Sequence, residues 1–297
     1  MTRVVFVLAE GVHLLDLSGP AQVFFDDLLD YELHYVGEQP DVRTAQGLPV
    51  RASVEWPPLT TDDLVVVPGW RAPTLARTFA LSTPTLDRVR AHHDRGGMVV
   101  SICAGADALG RAGLLDGRRC TTHHDLQDEL AERYPAATVV RDVLYVVDGR
   151  IATSAGIASG IDLALHLVAT RHGPAVAARV ARSMVVYARR NGDEHQTSAM
   201  LRHRSHVDDT VHRVQDLIDA RFMAHLPLAS LAAESGVSPR TVTRLFGRAT
   251  GLTPLRYQHL LRLERAEHLI SHGATVESAA RAVGFEDARM LRRLRAR

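Results

Sequence analysis

The sequence has no lysine; all 35 of its basic residues are arginine. That absence removes no nucleic-acid role, because arginine serves phosphate and guanine recognition at least as well. Cysteine is scarce too. Cys103 and Cys120 are the only two, too few for a disulfide framework, and a reducing cytoplasm suits such a chain best. No apolar run approaches the roughly 18–20 residues that cross a bilayer, so no membrane partner is expected. The apolar stretch 4–9 follows Met1-Thr2-Arg3 without a small-residue cleavage site, and reads as a strand and not as a signal peptide. Also missing is any Gly-x-Gly-x-x-Gly or other phosphate-cradling loop, so nucleotide binding is not indicated.

What is present is 297 residues, 46% of them hydrophobic, ordinary for a globular protein and long enough for two domains. The net charge of +1 hides an uneven distribution. Residues 228–297 hold 12 Arg against 6 Asp and Glu, whereas residues 1–205 hold 21 Arg against 24 acids. A basic end on a mildly acidic body points to nucleic acid at that end, with a solvated basic helical surface as the alternative.

The first 188 residues alternate strand-like and helix-like segments. Apolar, β-branched runs at 4–9, 64–67 and 98–102 predict strands buried on both faces, and 32–36 predicts another. Helical spacing covers 17–29, 84–94, 157–170 and 174–187, and hairpins are expected around Gln46-Gly47 and, with arms over 138–147 and 151–153, around Asp148-Gly149. The fold class is therefore α/β, a doubly wound, mostly parallel sheet whose sites lie beyond the carboxyl ends of its strands. Residues 189–207 are polar and aperiodic and read as a linker. Residues 208–297 read as all-α, with helices at 208–222, 228–235, 239–249, 255–271, 276–283 and 287–295.

Within the helical part, 228–246 fits a helix-turn-helix. Ala232 is small enough for a close helix crossing, Gly236 takes the turn, Ser238 caps the second helix and Pro239 occupies its first turn. Val242, Leu245 and Phe246 would face inward, leaving Arg240, Thr243 and Arg244 outward for a major groove. A repeat follows at 279–294: Ala280 stands four before Gly284, as Ala232 does before Gly236, and Arg289, Arg292 and Arg293 are outward candidates. The two units, with Gly251-x-x-Pro254-x-x-Tyr257 between them, resemble the AraC/XylS family of transcription regulators. The resemblance implies sequence-specific binding to double-stranded DNA, with Arg240, Thr243, Arg244, Arg289 and Arg293 at base edges. The family's second unit continues beyond the point that matches Arg297, so a short last helix is expected.

In the α/β part, strand, Ser101-Ile-Cys-Ala-Gly105, then helix is the layout of a nucleophile elbow. A thiol at a helix N-terminus is expected to favour thiolate. Leu15-Asp-Leu-Ser-Gly-Pro20, Val65-Val-Val-Pro-Gly69, Ser101–Ala106, Ala112–Arg118, Thr121-Thr-His123 and the stretch 154–162 resemble the PfpI-type branch of the glutamine amidotransferase-like superfamily, and within it the isocyanide hydratases. The likeness implies Cys103 as nucleophile, Asp16 as its acidic partner, His123 in the same pocket, and backbone N–H groups after Gly69 and at Ala104 facing an anion. Trp70 stands where those enzymes carry a second glycine. Fused to an AraC-type end, such a domain is expected to sense a small-molecule effector in a pocket with Gly69, Trp70 and Ala104, or to form a homodimer. The alternatives are a hydratase-like or amidase-like enzyme and a redox sensor at Cys103. The pairs His92-His93 and His123-His124 point apart on a strand or helix, and His203 with His206 lacks a third ligand, so neither metal nor cofactor is expected. The whole reads as a cytoplasmic, nucleoid-associated regulator.

Overall fold

A computed structural model describes residues 2–296, apart from 76–79, 187–189, 194–195, 197–201 and 272. The chain divides into two compact units, Met1–Gln196 and Thr197–Arg297. The division falls inside the stretch read as a linker, much of which lies outside the described residues.

The first unit opens with β1 (Thr2–Leu8), α1 (Leu14–Phe24), β2 (Tyr31–Gly37) and a small hairpin of β3 (Asp41–Arg43) and β4 (Pro49–Arg51). Then come β5 (Leu64–Val67), α2 (Thr83–Asp94), β6 (Met98–Ile102), α3 (Gly105–Arg111), β7 (Arg119–Cys120), α4 (Gln127–Arg133) and β8 (Thr138–Val139). The unit closes with β9 (Tyr145–Asp148), β10 (Ile151–Ser154), α5 (Ser159–His172) and α6 (Pro174–Ser183). The main sheet runs β2-β1-β5-β6-β10-β9, parallel except for β9, which pairs antiparallel with β10. Side chains alternate across it as the pleat requires. Val4, Phe6, Leu64, Val66, Val100 and Ile102 enter one core, while Val5, Val7, Val65, Val67 and Val99 enter the other. Both faces are apolar because helices cover both.

Two local expectations give way here. The segment 138–147 does not form one hairpin arm: β8 pairs in parallel with β7, and only β9 joins the sheet. The first helix ends at Phe24, short of 29, and carries Pro20 inside it.

The second unit consists of α7 (Asp209–Arg221), α8 (Leu228–Glu234), α9 (Pro239–Thr250), α10 (Pro254–Ser271), α11 (Val276–Ala282) and α12 (Ala288–Arg295). It has two small cores. Val211, Ile218, Leu231, Ala232, Val242, Phe246 and Tyr257 form the first, and Ala266, Ala279, Ala280, Val283, Phe285 and Leu291 the second. The long helix α10 serves both: Tyr257 and Leu261 pack in one and Ala266 in the other.

Candidate functional site

Cys103 follows β6, Gly69 follows β5 by two residues and Gly156 follows β10 by two, so three parallel strands deliver their carboxyl ends to one point. The approach is close enough to demand glycine. A Cβ on Gly105 would stand 2.2 Å from the Val67 carbonyl oxygen, and one on Gly156 would stand 2.1 Å from the Cys103 Cβ. A Cβ on Gly69 would meet both Asp16 Oδ2 and Cys103 Cβ at 2.6 Å, which sets the carboxyl of α1 beside the cysteine. Cys103 itself has φ +55° and Ile157 φ +50°, left-handed values that non-glycine residues hold only under constraint. The constraints are visible. The Cys103 N–H donates to the Ser154 carbonyl at 3.0 Å, the Thr122 hydroxyl donates to the Cys103 carbonyl at 2.7 Å, and the Ile157 N–H donates to Asp16 Oδ1 at 2.5 Å. Thr122, Gly156 and Ile157 lie in stretches that carry the PfpI likeness, but nothing local marks them as neighbours of Cys103 and Asp16.

The expectation of a thiolate fails on burial. Cys103 is 5% exposed and Asp16 is fully buried. Desolvation, with the Asp16 charge second, pushes the thiol far above its ordinary value, and the Ala104 N–H that favours the anion is outweighed. Burial likewise raises the Asp16 carboxyl from 3.8 to about 6, against the lowering pull of the Ile157 N–H. A seven-residue helix start cannot compensate two desolvated acids side by side. Burial therefore disfavours the charged form of each group, most strongly at the thiol.

Trp70 lies 2% exposed in the core beside Leu75 and Leu81. It bridges Val12 in a short antiparallel pairing, where the His13 N–H takes the Gly69 carbonyl and the Arg71 N–H takes the Gly11 carbonyl, each at 2.9 Å. His123 stands next to Thr122 with its ring 4.2 Å from that of His124, and burial lowers its pKa. Its contacts are with His124 and Asp125. The adjacent histidines do not point apart here. A 3-10 turn, His124–Leu126, replaces strand or α-helix, and His123, His124 and Asp125 hold donor atoms within 4.8 Å of one another.

In the helical unit the expected turn chemistry is present atom by atom. Gly236 has φ +71°, and Ser238 Oγ accepts the Thr241 N–H at 3.2 Å to cap α9. Val242 and Phe246 are buried, Leu245 is half-buried, and Arg240, Thr243 and Arg244 are exposed on the other side. Thr243 donates its hydroxyl to the Pro239 carbonyl and keeps its lone pairs outward. In the second unit Gly284 has φ +85°, and Asp287 caps α12 through the N–H groups of Arg289 and Met290. Arg289, Arg292 and Arg293 are exposed, but Arg292 is tied to Glu277.

One organising residue escaped the sequence reading. Arg262 of α10 is 8% exposed. Its guanidinium donates to the carbonyls of Phe222 at 2.6 Å, Ala224 at 2.8 Å and Gly284 at 2.8 Å, and it lies over the Phe285 ring. It thereby ties the segment before the first helix-turn-helix to the turn of the second. The chain entering the unit is fixed as well: Arg204 pairs with Asp216 and Asp219, and Asp219 accepts the Tyr257 hydroxyl at 2.8 Å.

Residues 2–170 match the DJ-1/PfpI family, and residues 231–297 match a helix-turn-helix domain. The chain belongs to the DJ-1/PfpI family. The chain is 31% identical over 247 residues to the HTH-type transcriptional regulator CdhR of Pseudomonas aeruginosa, covering 82% of the chain and 72% of that protein. It is 35% identical over 166 residues to an isonitrile hydratase of Pseudomonas putida, covering 54% of the chain and 68% of that enzyme. A crystal structure of an AraC family transcriptional regulator from Pseudomonas putida superposes with a TM-score of 0.52 at 25% identity, over 62% of this chain and all of that one. A DJ-1/PfpI domain followed by an AraC-type helix-turn-helix domain is thus the make-up of this protein. Among the described residues, no helix is long and apolar enough to cross a membrane.

Proposed function

We infer that this protein is a DNA-binding transcription regulator whose helix-turn-helix units grip a promoter and whose DJ-1/PfpI domain senses a small molecule. The observation that carries this is α9: capped by Ser238, anchored by buried Val242 and Phe246, and presenting Arg240, Thr243 and Arg244 to solvent. A rigid helix with exposed arginines that have no carboxylate partner among the described residues suits a major groove, where arginine reads guanine O6 and N7. Arg289 and Arg293 give α12 a second cationic face toward the duplex. The functional boundaries we assign are a sensor over 1–188, a linker over 189–207 and a DNA-binding part over 208–297. Homodimerisation through the first domain would pair two such readers.

The test is fluorescence anisotropy of the intact chain against a duplex from upstream of its own gene and a scrambled duplex. We expect preference for the upstream duplex, and Arg244→Ala to reduce it by about 1–3 kcal/mol. Equal weakening of both duplexes by that change removes direct base reading.

A second reading, catalysis by Cys103, draws support from the retained Asp16 and from the likeness to isonitrile hydratase. Against it stand the burial of the thiol, which raises its pKa, and the core-filling Trp70. Turnover of an isonitrile by wild type and not by Cys103→Ala would restore it.

A further inference from the structure

Between the two helix-turn-helix units the helical domain carries a groove of about 500 Å³, walled by α10, the turn before α12 and α12 itself. Arg262 and His259 line it from α10, Arg289 and Arg293 from α12, with His225 at one end. Glu286 and Asp287 are the acids there, and Asp287 is occupied in capping α12. The four arginines of α12 between 289 and 295 divide by face. Arg292 is paired with Glu277 and Arg295 with Glu267. Arg289 and Arg293, the two that line the groove, have no carboxylate partner among the described residues; Arg293 rests on the Met290 sulfur at 3.3 Å. Arg262 at the floor donates to backbone carbonyls alone. Three arginines against the two carboxylates of Glu286 and Asp287 leave this concave site net positive, and its walls focus that potential.

We propose that this groove seats a backbone phosphate of bound DNA, held by Arg289, Arg293 and His259, so that the second unit grips the duplex and leaves base reading to the first. This rests on the chain being a DNA-binding regulator, as argued above. Phosphate oxygens supply the negative charge the groove lacks, and arginine forks match them. The seat lies beside the helix that must approach DNA, which favours a phosphodiester over a free anion.

His259 gives the seat a signature. It faces Arg256 and Arg262 on its own helix, Arg293 on α12 and the Phe285 ring at 5.8 Å, with Glu286, Asp287 and His225 lining the same groove. Burial, then those arginines, lower its pKa from the ordinary 6.5. A phosphate reverses that balance, so binding takes up a proton and affinity rises as pH falls below neutrality.

The experiment titrates the intact chain with the upstream and scrambled duplexes over a salt series at pH 7.5 and pH 6.0. Arg293→Gln is expected to weaken both duplexes by the same factor, about five- to tenfold, and to flatten the slope of log K against log salt by about 0.9, one phosphate's worth. His259→Gln is expected to abolish the part of the pH 6.0 gain that this proton supplies. Loss confined to the upstream duplex with the slope unchanged makes Arg293 a base reader and overturns the proposal, as does no loss at all. Inorganic phosphate that displaces DNA from wild type beyond chloride of equal ionic strength, and not from Arg293→Gln, gives the groove to a free phosphate and overturns it too. Should Arg293→Gln melt early, Arg289→Gln decides by the same criteria. A wild type that binds both duplexes equally defeats the regulator reading but leaves the seat intact, so the two failures are distinguishable.

Discussion

Asp16 and Arg244 stand at opposite ends of a contrast within one chain. Asp16 is fully buried, shares its surroundings with a thiol and has its carboxyl raised to about 6. Arg244 is exposed on a helix whose other face does the packing. In the DJ-1/PfpI domain desolvation raises both members of the ionisable pair above their ordinary values, the thiol much further than the carboxyl. In the helical domain the arginines on the outer faces of α9 and α12 stay in solvent, and the folding energy comes from Val242, Phe246, Leu291 and their neighbours. A site that closes over its chemistry suits detection or storage of a state. A site that leaves charge in water suits a polyanion.

Four changes would break or sharpen that contrast. Gly156→Ala places a methyl at φ +90° within 2.1 Å of the Cys103 Cβ and should cost about 4 kcal/mol or more. Thermal unfolding should show the first domain melting early and the second unmoved; a common shift would mean that the two do not unfold independently. Arg262→Ala strands the carbonyls of Phe222, Ala224 and Gly284 and should cost about 3 kcal/mol in the helical unit. Arg262→Lys should recover only part, since one ammonium cannot reach all three in a fork's geometry.

Asp16→Asn tests the buried acid. Its folded pKa of about 6 lies above the ordinary 3.8, so the unfolded chain releases its proton first as pH rises. The wild type should therefore lose about 2 kcal/mol relative to Asp16→Asn between pH 4.5 and pH 7, with little further loss above. Urea unfolding at the two pH values measures it; parallel behaviour of the two proteins would mean that Asp16 is solvated. Smallest is Ser238→Ala, which removes the cap on the Thr241 N–H and should cost about 1 kcal/mol, visible as a lower melting point of the helical unit.

The elements that periodicity and caps announce lie where expected. β1, β5 and β6 are short apolar runs that only a doubly covered sheet can bury, and α9 begins at the Ser238-Pro239 cap. The two-residue strand β7 was missed, and β8 was read as part of a hairpin arm, because so short a pairing exists only through its partner. The turn at 124–126 and helix α4 left no apolar stripe to detect. At the thiol, sequence located the elbow and its acidic neighbour but misjudged the charge state. The helix start is local and readable, whereas the burial that overrides it is assembled from β5, β6, β10 and α1 together.

That division runs through the whole protein. Strand and helix periods, turn glycines and capping hydroxyls act over a few residues, so composition order alone was enough to specify two domains and the outward arginines of α9. Whether a titratable side chain keeps its water depends on atoms far away in the chain: Asp16 is held by Ile157, 141 positions on, and Arg262 by carbonyls 22 to 40 positions off. Desolvation is a property of the packed whole. Only the tertiary fold could close the thiol in, turn Arg262 into a strut and leave the groove beside α12 positively charged.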